Sequence, residues 1–151
     1  MSDNFTSILN ELIETSKDGE KGFTTSAEDT KTPELKATFL ARAKDCATAA
    51  AQLQQLVTGL GGKPEDGGSI SGAMHRGWVN LKSAVADRTD LAILEECERG
   101  EDVAKARYRD AVAKTLPENI RSVVQRQYEG AMRNHDQIRD LRDRYRANKP
   151  S

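Results

Sequence analysis

Apolar residues return every three or four positions through four long stretches of this chain, the spacing of one buried face on an α-helix. In the first stretch Phe5, Ile8, Leu9, Leu12, Ile13, Ser16, Glu20, Phe23 and Ala27 share a face, which predicts a helix from about Asp3 to Asp29. Gly19 and Gly22 interrupt it at ~1 kcal/mol each relative to Ala, as happens where a neighbouring backbone comes close. After the break at Thr30-Lys31-Thr32, Thr32 reads as an N-cap, Pro33 as the first helical residue and Glu34 as a first-turn acid. The second face runs through Leu35, Phe39, Arg42, Ala43, Cys46, Ala50, Leu53, Val57 and Leu60, and Gly61-Gly62 stops it. A break this short predicts an antiparallel hairpin.

The stretch from Lys63 to Ser69 is loop-like, and Met74, Trp78, Leu81 and Val85 then mark a short helix over roughly Ser71 to Ala86. The third long helix is expected from about Asp90 to Lys114, with Leu94, Cys97, Glu101, Ala104, Tyr108 and Ala111 inward. One carboxylate thus sits in an apolar stripe, where it must meet a partner or bind something. Thr115-Leu116-Pro117-Glu118 resembles a capping box with Pro in the first turn, opening a last helix that reaches about Tyr145. Its inward face is Ile120, Val123, Val124, Gln127, Ala131, Asn134, Ile138 and Leu141. Helix two is roughly 42 Å long at ~1.5 Å per residue, and the segment from Gly61 to Arg88 is long enough to traverse it. Two antiparallel helix hairpins joined by a long crossover that carries a short extra helix is therefore the expected all-α architecture; an up-down-up-down bundle with a helical arm is the alternative.

Composition narrows the function classes. At 151 residues the chain is expected to be a single domain, residues 1–151, large enough for its own core. Aromatic residues make up only 5% against 31% charged, which suits solvated amphipathic helices better than a sheet sandwich. A net charge of −1 argues against a general nucleic-acid or acidic-membrane binder. The seven arginines of the last helix are interleaved with Glu129, Asp136, Asp140 and Asp143, so most are expected to be paired. No apolar run approaches the ~18 residues of a bilayer span, and the first residues do not read as a signal peptide, so the expected location is cytoplasmic. Cys46 and Cys97 lie outside any metal-type spacing; buried thiols are the plain reading and a redox pair across facing helices the sharper one. His75 and His135 have no Ser or Cys placed to make a nucleophile–base pair, His75 and Arg76 being expected to dock the short helix. Gly22, Gly100 and Gly130 lie near the middles of their helices, implying close packing or a small cavity at one level.

Several segments together are similar to a known family. LNELIE and DGEKGF, the RAKDCA segment, GGSISGAMHRGW, CERGED, LPENIR and NHDQIRDLRD resemble a small bacterial four-helix-bundle family described as domain of unknown function 2383, in the ferritin-like superfamily. That resemblance implies a ferritin-like four-helix bundle and little about activity. The superfamily's di-metal pattern takes one Glu each from helices one and three and Glu-x-x-His from helices two and four. Glu20 and Glu101 match two of those positions, whereas helix two offers Arg42, Asp45 and Cys46, and Met132 stands where His135 would need a Glu.

The expectation is a metal-free polar core of Glu20, Arg42, Glu101, Gln127 and Asn134, without cofactor, in a non-catalytic protein. Such a protein would act through surface or homo-oligomer contacts with an unidentified protein partner, with no nucleic acid or membrane among its partners. Superfamily analogy adds a stress-related role. The alternatives are an oxidase or storage protein holding iron or manganese at Glu20, Glu101 and His135, and a thiol redox module using Cys46 and Cys97.

Overall fold

The computed structural model describes residues 2–65 and 89–147, and among them it contains four helices and no strand. These are α1 (Ser2–Asp29), α2 (Pro33–Gly59), α3 (Asp90–Val112) and α4 (Glu118–Ala147). No described helix is long and apolar enough to cross a membrane. The expected short helix with Met74, His75, Arg76 and Trp78 lies outside the described residues.

The helix ends follow from local chemistry, with two departures from the sequence pattern. Thr32 has the extended backbone of an N-cap, but its hydroxyl makes no capping bond. It donates instead to Asp90 Oδ2, while Thr30 Oγ1 donates to Asp90 Oδ1 at 2.6 Å. The carboxylate that opens α3 thus ties that helix to the α1–α2 turn. Leu60 ends α2, and Gly61 takes the left-handed conformation at φ +80°. Gly62 N then bonds Val57 O and Gly61 N bonds Thr58 O, both at 3.0 Å, the paired bonds of a Schellman stop. Thr89 caps α3 by accepting from Ala92 N at 3.1 Å. The second departure is at α4, where Pro117 O accepts from Ile120 N and Arg121 N. Pro117 therefore occupies the capping position expected of Thr115; it needs only its carbonyl there, so its missing N–H costs nothing.

Two apolar clusters fix how the helices run. Phe23 and Ala27 of α1, Leu35 and Phe39 of α2, Ile93, Leu94 and Cys97 of α3, and Ile138 and Leu141 of α4 form one. Leu9, Leu12 and Ile13 of α1, Leu53 and Val57 of α2, Tyr108 and Ala111 of α3, and Ile120 and Val124 of α4 form the other. The end of α1 thus meets the starts of α2 and α3 and the end of α4. It follows that α1 is antiparallel to α2 and α3, while α2 and α3 point the same way. α1 packs on α2 and α3, and α4 packs on α3 and more sparsely on α2; α2 and α3 stand diagonally, with no Cα pair within 8 Å among the described residues. Outside the core, Arg142 bonds Glu98 and Asp143, and Arg146 pairs with Glu95 at 2.8 Å, lacing α4 to α3. The exposed Arg146–Glu95 pair contributes ~0–1 kcal/mol.

Candidate functional site

Between the two apolar clusters the bundle is not filled. A cavity of about 450 Å³ lies there, walled by all four helices. Thr15, Ser16, Gly19 and Phe23 line it from α1, and Gly100, Glu101, Ala104 and Tyr108 from α3. Its rim is exposed along α2 and α4, at Asp45, Thr48, Gln52 and Arg133, so it opens along the sparsely packed α2–α4 seam. Small residues account for the space: Gly100 and Gly130 present no side chain, and Ala49, Ala104 and Ala131 present a methyl each. Gly19 acts differently, because a Cβ built there would stand 2.9 Å from Cys46 Sγ. It is a close-approach glycine that lets the thiol in.

Two polar clasps frame the opening. In one, Ser16 Oγ lies 3.3 Å from Tyr108 Oη, and Tyr108 donates to Gln127 Oε1 at 2.8 Å. Gln127 Nε2 then donates to Gln52 Oε1 at 2.9 Å and to Ala49 O at 3.3 Å, joining α4 to α2. In the other, Arg42 pairs with Asp45 at 2.8 Å and donates to Gln137 of α4.

Glu101 stands apart from both. It is only 5% exposed and lines the cavity, yet its carboxyl makes no hydrogen bond or ion pair with any described residue. Burial raises its pKa to about 8; Arg42 opposes that shift, and the Asp102 and Asp45 carboxylates add to it. At neutral pH the group is mostly protonated. Burial likewise pushes the Cys46 thiol up, helped by the carboxylates of Glu101, Asp45 and Glu20 and opposed by Arg42. Tyr108 is also shifted up by burial, against its bond to Ser16.

Four of the five residues expected in the polar core line this cavity: Arg42, Glu101, Gln127 and Asn134. Glu20 does not; it is half-buried on α1, beside the position that Gly19 and Phe23 fill. His135 is buried, but its ring bonds Asp102 through Nε2 and Asp136 through Nδ1 rather than facing the cavity. Glu20, Glu101 and His135 are therefore not brought together, and the described residues hold no group of three or more His, Cys, Asp or Glu that could bind a metal. Neither Cys46 nor Cys97 is in a disulfide. Cys46 reaches the cavity, whereas Cys97 packs in the core with Ser26 Oγ at 3.3 Å from its sulfur. They sit on the diagonal pair α2 and α3, not on facing helices. A disulfide needs Cα atoms within about 7 Å, so linking them would require the backbone to move. The Ser16 and Tyr108 hydroxyls were hidden in the sequence because both positions read as members of inward stripes.

Residues 4–114 match the family described as Domain of unknown function (DUF2383). The chain belongs to the DUF2383 family. The DUF2383 match takes in α1, α2 and α3, and with them Ser16, Gly19, Arg42, Cys46, Glu101 and Tyr108, while Gln127 and Asn134 of α4 lie beyond it. No curated protein matches the chain.

Proposed function

We propose that this chain is a ferritin-like bundle without a complete di-metal site, a non-catalytic protein that acts through contacts with a partner or with further copies of itself. Support for the fold comes from the parallel course of α2 and α3, which makes the chain between them join opposite ends of the bundle. The observation that carries the functional reading is the make-up of the bundle centre. A di-metal site needs four carboxylates and two imidazoles there. The cavity is lined by two carboxyls, the buried Glu101 and the exposed Asp45 that Arg42 pairs, and by no imidazole; a thiol, a phenol and side-chain amides make up most of the remaining polar lining. Metal ligands must also be deprotonated, and burial pushes both Glu101 and Cys46 toward their protonated forms. These residues do not fit a pair of iron or manganese ions. A cytoplasmic setting is proposed from cysteine usage, and a stress-related role from analogy of fold alone.

Elemental analysis tests this reading on protein purified without chelator and reloaded anaerobically with Fe(II) or Mn(II). The expected result is metal well below one ion per chain. Stoichiometric metal that is lost in Glu101→Ala would replace it with oxidase or storage chemistry.

A further inference from the structure

An unpartnered, nine-tenths buried carboxyl facing an open cavity is an unusual thing for a bundle to keep. Burying such a group without a partner costs free energy, and a well-packed apolar residue of similar size would avoid the cost. Arg42 offsets that cost only at a distance, because its guanidinium bonds Asp45 and Gln137 rather than Glu101. The cavity is in the size range of small-molecule sites, about 300–1,000 Å³, and part of its wall is apolar, with Phe23, Ala49, Ala104 and Ala131.

From this geometry we infer that the cavity is a binding site for a small organic ammonium ion, with its cationic head on Glu101 and its carbon chain against Phe23 and Ala104. An ammonium brings three donors to a wall where the Glu101 carboxylate is an unused acceptor. The charges around Glu101 favour a cation. From α2 come Arg42, already paired, Asp45 and the neutral thiol of Cys46; from α3 come Asp102 and the neutral phenol of Tyr108. α1 contributes uncharged lining residues, with Glu20 near enough to act on Cys46. α4 contributes Arg133, exposed on the rim. An anion would meet the carboxyls of Glu101 and Asp45, and a neutral alcohol would leave Glu101 without a counter-ion.

The test uses the full chain and three probes of similar shape, n-butylammonium, butan-1-ol and butyrate, titrated separately at about pH 8.5 so that Glu101 is ionised. Amide NMR shifts report saturation at Gly100, Glu101 and Gly130. The expected result is saturable binding of n-butylammonium, with the other two probes at least about tenfold weaker, and an about tenfold or greater loss in Glu101→Gln. Butyrate or butan-1-ol binding as tightly as the ammonium would overturn the inference. So would ammonium binding that Glu101→Gln leaves unchanged, or no saturation by any probe, which would leave a cavity that holds only water. If Glu101→Gln does not fold, the ranking of the three probes on the natural chain decides. Metal content is measured separately, so a failure of the metal-free reading is told apart from a failure of this one.

Discussion

At the scale of single residues, Glu101 sets a pH dependence that can be worked out in sign. Its folded pKa of about 8 lies above the ordinary 4.5, so between those values the folded state keeps a proton that the unfolded state releases. Unfolding then releases protons, and stability falls as pH rises through this window and levels off above it. A neutral isostere removes the effect. Glu101→Gln should match the natural chain near pH 4 and below and exceed it near pH 8 by up to a few kcal/mol, a figure limited by water entering the open cavity. Urea melts of both proteins across that range measure the difference; a constant gap would mean that Glu101 does not carry the shift. The sequence exposed Glu101 because a lone carboxylate stands out in an apolar stripe. It did not separate Glu20 from Ser16 and Gly19, since the three-and-four spacing tolerates a residue at the edge of the face, and only packing decides which one turns inward. The thiol at Cys46 was visible in the pattern, but the space that Gly19 makes for it depends on where two helices meet.

The four long helices were legible as elements because each carries one continuous apolar face and is closed by recognisable chemistry at most of its ends. Gly61-Gly62 worked as the pattern suggested, since a left-handed residue is needed there and glycine supplies it without strain. Thr32 shows what the pattern could not convey. It sits in the capping position, but a tertiary acceptor outcompetes the local one, and its hydroxyl turns to Asp90. Asp90 thereby joins three elements: Thr30 and Thr32 at the α1–α2 turn, and its own first turn of α3, where a negative charge also suits the helix dipole. Asp90→Ala should therefore cost more than an ordinary surface substitution, about 2–3 kcal/mol for two charge-assisted bonds and a favourable first-turn charge. Chemical denaturation reads this directly. Adding Thr30→Ala and Thr32→Ala to Asp90→Ala, a triple variant, should bring little further loss, because the three side chains act as one unit. Full additivity would show that they do not.

At the scale of the molecule, the level at which the bundle is polar coincides with the level at which it is hollow. Apolar clusters close both ends, and the four helices are held apart in the middle by residues too small or too polar to fill the space. This layout needs α2 and α3 to run in the same direction, and the sequence left that open: the segment after Gly61 is long enough to traverse the bundle but equally able to fold back on itself. The bonds from Thr30 and Thr32 to Asp90 seat the start of α3 at the end where α1 finishes and α2 begins. Distances between spin labels then test the course of the chain. With Cys46→Ala and Cys97→Ala removing the natural thiols, labels at Thr58→Cys and Leu91→Cys should lie roughly 40 Å apart, the length of the 27-residue α2 at about 1.5 Å per residue. Labels at Lys31→Cys and Leu91→Cys should instead be near neighbours. An up-down-up-down bundle reverses both results, since α3 would start where α2 ends. That reversal would leave Glu101, the midpoint of the 23-residue α3, in the middle of the bundle but carry Tyr108 to the other side of it, so the distance that fixes the topology is equally a condition for Tyr108 meeting Ser16.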